Sequence, residues 1–228
     1  CANTGPAKVV NNMWVGARGG CLNLTPRPLV TRSGTFPPNA EMELSHNTLV
    51  FNGSDNMTVL STFKVHHNIM GAGWRDPKGN FECDSNLYFG DRVERTLETY
   101  KAAGNDRSSI AAVPKFRNAP AGVYPVDEKK LADCRPGKLF LRAPAGAFSA
   151  GDTVELNWDG KPRKVTEVGV GYIAFDPPLE EVHPWGWDVV IHWKDREMRL
   201  DLRLADDSPG KGKDGAPDMG ANIDIPAY

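Results

Sequence analysis

Three stretches in the first ninety residues repeat one order of apolar and polar positions. They are Met42-Glu-Leu-Ser-His-Asn47-Thr-Leu, Phe63-Lys-Val-His-His-Asn68-Ile-Met and Phe81-Glu-Cys-Asp-Ser-Asn86-Leu-Tyr. Each runs large apolar, polar, apolar, polar, polar, Asn, then a second apolar stretch. Alternation of period two inside each phrase predicts strands, and asparagines 21 and then 18 residues apart predict a repeating coil. An asparagine stacked beneath its equivalent on every coil satisfies its amide along the stack. Asn47, Asn68 and Asn86 are therefore expected to form a ladder at a tight bend between two parallel strands. Val9-Val-Asn-Asn12-Met-Trp14 reads as an earlier copy, and the 35-residue gap to Asn47 holds either two coils or one with an insertion.

This pattern predicts an all-β chain whose first part, residues 1–116, is a partial solenoid of the parallel β-helix type. Cys21–Leu24, Leu29–Thr31 and Thr58–Leu60 supply further short strands, with Pro26, Pro28, Pro37, Pro38 and Gly53 at corners. Two loops, 52–57 and 71–80, are expected to leave the coils at one corner, the second carrying Trp74, Arg75 and Asp76. A short helix is predicted near 91–103: Val93, Leu97 and Tyr100 recur at helical spacing, Asp91 suits the start and Gly104 the stop. Residues 117–197 change character. A short helix over 127–133 leads into strands at 138–142, 153–156, 163–168, 172–175 and 189–193, with Asp159-Gly160 as a hairpin turn. An inserted antiparallel β domain is expected there, a five-stranded barrel or half-barrel, followed by a terminal β-helix segment and tail over 198–228.

Gly104-Asn-Asp-x-x-Ser-Ile110, Pro114-x-Phe116, Asp201-Leu-Arg-Leu204 with Asp207-Ser-Pro209, and Asp218-Met-Gly-Ala221 follow the short helix. Together they resemble the closing section of secreted bacterial right-handed parallel β-helix proteins, many of which are polysaccharide lyases or glycoside hydrolases. The resemblance covers about 40–116 and 198–221. It departs at Val113, where Asp commonly precedes the proline, and in the long stretch between Phe116 and Asp201, where the usual connection is short. It implies the C-terminal part of an exported carbohydrate-active protein, secreted, periplasmic or at the cell surface, with a polysaccharide as partner. The chain opens inside a coil, so the missing N-terminal part of the same protein, or another chain, is expected to cover that coil. A mature lipoprotein beginning at Cys1 is the lesser reading. Because fold does not fix function, a non-catalytic extracellular structural or assembly protein and a glycan-binding module stay open as alternatives.

Composition removes other classes. Over 228 residues the net charge is −2 with no basic cluster, so no nucleic-acid footprint is present, and no apolar run is long enough for a transmembrane segment. Four cysteines make no CxxC site; Cys1/Cys21 and Cys83/Cys134 are candidate pairs in an exported chain. Sequons at Asn23, Asn52 and Asn56 matter only in a eukaryotic secretory host.

Candidate chemistry lies on the outward rows Glu43–Lys64–Glu82 and Ser45–His66–Asp84. The second row has Ser-His-Asp composition, but stacking fixes backbone spacing, not the side-chain hydrogen bonds a triad needs. A solvated polar face, with Lys64 bridging two carboxylates, is the plainer reading. Lys64, His66, Glu82 and Asp84 are nevertheless the residue types for sugar chemistry: a base beside a uronate for a lyase, or paired carboxylates for a hydrolase. They are the catalytic candidates, with Trp74 and Arg75 as substrate contacts. Trp185 and Trp187 in His183-Pro-Trp-Gly-Trp187 are the other substrate-binding candidates, since indole faces stack on sugars; core packing is the alternative. His46 and His67 precede ladder asparagines and offer two metal ligands, but Ser85 holds the next equivalent position, so no metal site is expected. Calcium is the one cofactor considered, at the acidic tail Asp206, Asp207, Asp214 and Asp218, whose spacing is not that of an EF-hand.

Overall fold

The computed structural model describes residues 7–16, 22–24, 29–31, 34–36, 42–51, 57–59, 63–71, 74–75, 81–90, 93–212 and 216–223. The chain is mostly β, and the two helices among these residues are short: Val93–Ala102 and the 3-10 turn Glu128–Asp133. Two compact units form, Cys1–Arg117 with Leu202–Asp224, and Asn118–Asp201 with Ile225–Tyr228.

The first unit contains three parallel sheets and an antiparallel pair, Leu29–Thr31 with Gly34–Phe36. Ala7–Val10, Met42–Ser45, Phe63–His66 and Phe81–Asp84 form one; Met13–Val15, Thr48–Val50, Ile69–Met70, Leu87–Tyr88 and Ile110–Ala111 the second; Leu22–Leu24, Met57–Val59 and Trp74–Arg75 the third. In the first sheet Leu44 faces Val65 and Val65 faces Cys83 in register. All three are buried, with Leu49, Met70 and Tyr88 of the second sheet and Val93, Leu97 and Tyr100 of the helix in the same cluster. The period-two alternation thus sends one row into the core and leaves Lys64 and Glu82 exposed on the other.

Between the first and second sheets the chain turns through one residue of positive φ and then an asparagine. Asn11, His46, His67 and Ser85 hold the positive-φ position, at φ 59, 54, 57 and 56. The asparagines form a continuous ladder. The backbone N–H of Asn12 donates to Asn47 Oδ1, that of Asn47 to Asn68 Oδ1 and that of Asn68 to Asn86 Oδ1, each at 2.9 Å. Nδ2 of Asn47 and of Asn68 reaches the next rung and a carbonyl of the preceding coil, as Asn68 Nδ2 does with Asn86 Oδ1 at 3.0 Å and Leu44 O at 2.9 Å. The last rung is sealed differently: Asn86 N–H donates to Ser109 Oγ at 2.8 Å, and Ser109 donates in turn to the fully buried Asp106 at 2.5 Å. Each asparagine N–H of the ladder thus has a side-chain acceptor.

Gly104 closes the helix at φ 90. Its N–H bonds to Lys101 O at 3.0 Å and that of Asn105 to Tyr100 O at 3.0 Å, the two bonds of a Schellman end. The tail then runs along the corners. Gly220 N–H donates to His67 O at 2.6 Å, Ala221 N–H to Thr48 Oγ1 at 2.9 Å and Asn222 N–H to Asn11 Oδ1 at 2.8 Å, stepping from the third described coil to the first.

The second unit is a six-stranded antiparallel sheet in the order Gly122–Pro125, Val189–Lys194, Thr153–Leu156, Arg163–Gly169, Tyr172–Asp176, Lys138–Phe140. A bridge between Val126 and Leu141 joins the two ends of that order. Its core includes Val126, Leu139, Val154, Leu156, Val165, Ile173, Phe175 and Val190. Inside the sheet, Glu155 accepts from Trp193 Nε1 at 2.9 Å, and the buried Arg163 makes two bonds to Asp159, at 2.7 and 3.1 Å.

Several expectations are corrected. Five strands were expected in the second unit and six are present; Gly122–Pro125 follows Pro120 and ends on Pro125, prolines that read as breaks. The 71–80 stretch is not wholly loop, because Trp74 and Arg75 pair in parallel with Met57 and Thr58. Two residues are too few for alternation to register. Cys83 and Cys134 are free thiols, not partners. Burial pushes the Cys83 thiol far above its ordinary value, and its sulfur lies 3.3 Å from the Tyr88 hydroxyl. Cys1, Cys21, Asn52, Asn56, Asp76, Asp91, Asp214 and the side chains of Trp74 and Arg75 lie outside the described residues.

Candidate functional site

The outward rows come out in the expected register: Glu43 opposite Lys64 opposite Glu82, and Ser45 opposite His66 opposite Asp84. The side chains then diverge from both readings of them. Ser45 is buried and donates to Glu43 Oε1 at 3.1 Å, while His66 places Nε2 3.6 Å from the same oxygen and Nδ1 3.1 Å from His67 Nδ1. Asp84 accepts the Ser108 N–H at 2.6 Å. No hydrogen bond joins Ser45, His66 and Asp84 in series, so the row is not a nucleophilic triad. Nor does Lys64 bridge two carboxylates among the described residues, because Glu43 is held by Lys8 at 2.7 Å. That hydrogen bond holds the Glu43 carboxyl below its ordinary value.

Lys64, His66, Glu82 and Asp84 do converge on one open cleft of about 360 Å³. Its other wall is the loop Gly104–Arg107, which follows the Schellman end of the helix. Asp106 in this loop accepts from Tyr88 at 3.0 Å and Ser109 at 2.5 Å through Oδ1, and its buried Oδ2 has no partner. Arg107 adds a second cation to the wall. Neither residue was a sequence candidate, although the Gly-Asn-Asp-x-x-Ser-Ile phrase contains both. Glu82 and Asp84 are two residues apart on one strand, so their backbones are roughly 6.5–7 Å apart, with both side chains on the cleft side.

Beside the cleft two corner residues and one strand residue bring three imidazoles together. His46, His66 and His67 each place a ring nitrogen within 4.8 Å of the others. The rings of His46 and His67 stack at 5.0 Å and 16°, and His66 stands edge-on to both. His46 Nδ1 lies 3.2 Å from the Asp218 carbonyl oxygen. Burial pulls His67 below the ordinary imidazole range, the neighbouring His46 and His66 add to this, and Asp84 opposes it. Sequence reading found two of the three and looked for the third at the next corner; it is His66, from the strand before the same corner.

The tail does not gather for calcium among the described residues. Asp207 pairs with Lys115 at 2.5 Å and Asp218 with Lys211 at 2.7 Å.

In the second unit Trp185 and Trp187 are 67% and 61% exposed, and Trp187 stacks on His183 at 5.0 Å and 16°. Trp193 is the buried one. Trp74 and Arg75 belong by backbone to the third sheet, whereas Lys64 and Glu82 belong to the first. No described helix is long and apolar enough to cross a membrane. Compared with known proteins, the chain has no significant match to any family model, curated protein or solved structure.

Proposed function

We propose that this chain is part of an exported right-handed parallel β-helix protein that acts on a polysaccharide at the Lys64–Asp84 cleft. Support for the solenoid reading comes from three parallel sheets threaded in the same coil order and from the asparagine ladder that ties the coils at one corner. The observation that carries the functional reading is the cleft itself. Two carboxylates, Glu82 and Asp84, stand with Lys64, His66 and Arg107 in an open groove of about 360 Å³, the scale of a sugar ring and its neighbours. Glu82 and Asp84 are the pair of carboxylates that a glycoside hydrolase needs as acid and base. Lys64 and Arg107 supply the cations that orient hydroxyl or carboxylate groups of the substrate.

The test is a screen of soluble polysaccharides by reducing-end release and by absorbance of unsaturated uronates, followed by Asp84→Asn, Glu82→Gln and Lys64→Ala. The reading expects a cleaved polymer whose turnover falls at least a hundredfold in Asp84→Asn or Glu82→Gln. If every cleaved polymer is turned over unchanged by all three variants, the site assignment is wrong.

The exposed Trp185 and Trp187 favour a second reading, glycan binding by the second unit without catalysis. In that case Trp185→Ala and Trp187→Ala abolish retention on glycan affinity gels, while the cleft variants leave it intact.

A further inference from the structure

We propose that His46, His66 and His67 form a binding site for a first-row transition-metal ion of the Zn²⁺ or Cu²⁺ class, with three imidazole nitrogens from the protein and an open position for water or another ligand. The proposal goes beyond the polysaccharide reading and does not rest on it.

Spacing is the first argument. Two nitrogens bound at 2.0–2.1 Å to a tetrahedral ion stand about 3.3 Å apart. His66 Nδ1 and His67 Nδ1 are already 3.1 Å apart, and the ligand nitrogen of His46 lies within 4.8 Å of both. His46 and His67 stack at 16°, so coordination requires one of these half-exposed rings to turn until its nitrogen meets the same ion.

The outward-facing nitrogens supply the second. A metal-bound histidine generally donates its other ring N–H to a carbonyl or carboxylate, which fixes the tautomer. His46 Nδ1 is 3.2 Å from the carbonyl oxygen of Asp218, and donation there leaves Nε2 as the ring nitrogen with a lone pair for an ion. His66 Nε2 faces the Glu43 carboxylate at 3.6 Å while its Nδ1 faces His67. His46 therefore has the outer partner that metal-bound imidazoles use, and His66 has a carboxylate close by.

The third argument is where the rings sit. His46 and His67 occupy the left-handed corner position, which costs a non-glycine residue of the order of 1 kcal/mol or more. Asn11 and Ser85 hold the same position on neighbouring coils without a ring. Three of the chain's five histidines meet at this one point, two of them at the left-handed corner.

Donor type sets the class of ion. Neutral imidazoles without carboxylate or thiolate in the first coordination sphere suit Zn²⁺, Cu²⁺ or Ni²⁺, whereas calcium and magnesium require oxygen ligands. The tail carbonyl of Asp218 would be tied to the site through His46, so the ion would also join the tail to the coil corners.

The experiment uses the full chain without an affinity tag, stripped with chelator, and no glycan, so its outcome is separate from that of the polysaccharide test. Zn²⁺ is titrated by calorimetry and Co²⁺ by visible absorption. One ion per chain is expected, with ligand-field bands of a low-coordinate Co²⁺ site. His46→Asn and His67→Asn keep a residue that the corner accepts, and His66→Gln keeps a polar group on the strand. Each should weaken binding more than tenfold, since even outer partners of metal ligands are worth 10–100-fold. Far-UV circular dichroism should stay unchanged, and His183→Gln should bind as the parent does. Absence of stoichiometric binding by the folded chain overturns the proposal. So does binding that survives the triple substitution, or loss of binding in His183→Gln alone. A variant that misfolds is replaced by Cu²⁺ spin resonance of the parent chain, where fewer than two coordinated nitrogens gives the same refutation.

Discussion

Replacing Asn68 with alanine removes the central rung of the ladder, and its cost can be worked out bond by bond. Asn68 is fully buried and its Oδ1 accepts two hydrogens from Asn47, from the backbone N–H at 2.9 Å and from Nδ2 at 3.0 Å. Its Nδ2 serves Leu44 O, His66 O and Asn86 Oδ1. The variant leaves the Asn47 N–H without its acceptor in a site closed to water, and Asn47 Nδ2 with one acceptor fewer. Asn47 Nδ2 keeps Val9 O and Ser45 O, so one donor is orphaned; at roughly 1–3 kcal/mol for an orphaned buried donor, the predicted loss in the first unit is about 1–3 kcal/mol. Asn12→Ala is the control. Asn12 is only half-buried and donates from Nδ2 to Val10 O and Asn47 Oδ1, so its removal orphans no side-chain-bonded donor among the described residues and should cost less than about 1 kcal/mol. Amide hydrogen exchange at Ile69 and Leu87 reads the first unit directly, because their N–H groups bond to Asn47 O and Asn68 O in the neighbouring rungs. Equal losses of protection in the two variants would show that the ladder contributes shape without stability, and the reasoning would fail.

Three further outcomes follow from the same contacts. His192 is buried and held below its ordinary 6.5, chiefly by burial, with Lys194 and Arg196 adding and Asp152 opposing; its Nε2–H reaches Asp152 at 2.9 Å while Nδ1 has no partner. Folded-state preference for the neutral ring means stability present above pH 6.5 is lost as pH falls from there through the folded value, so urea midpoints of the second unit should drop over that window and not in His192→Phe. Asp159 feels burial pushing it up, but the Arg163 hydrogen bonds, the Lys161 N–H and both cations outweigh that and bring it below 3.8. Its contribution is present above that pH and lost below it, and Asp159→Ala, which strands the buried Arg163, should cost about 3 kcal/mol by urea unfolding at pH 7. A methyl at Gly220, where φ is 81, would stand 2.6 Å from Ile69 Cδ1 and 2.7 Å from Thr48 Oγ1; Gly220→Ala should release the tail, seen as faster proteolysis after Lys211.

What the chain disclosed before folding, and what it hid, divides on periodicity. Asn47, Asn68 and Asn86 were legible because identical residues recur in identical phrases, and their stacking requires that identity. Ser109 and Asp106 finish the same ladder with different chemistry, so nothing in the spacing marks them. Val93, Leu97 and Tyr100 announced the helix, and Gly104 its end; the use of the following residues as a cleft wall depends on how that loop packs back on Asp84. Trp74–Arg75 is too brief a strand to alternate. His66 alternates outward as expected, but the direction of its ring is set by a rotamer and by the left-handed corner beside it, neither of which a pattern of polar and apolar positions encodes.

Asn222 holds Asn11 across 211 positions of chain. During synthesis at about 5–20 residues per second, the first coil waits roughly 10–40 s before the segment that clasps it exists. Until then Thr48 Oγ1 and the His67 carbonyl present unmet bonding partners to whatever is nearby. Fastening of the corners is therefore a closing act of folding, and the interval before it is when a chaperone, or an unwanted neighbour, has access to the edge that the finished protein keeps covered.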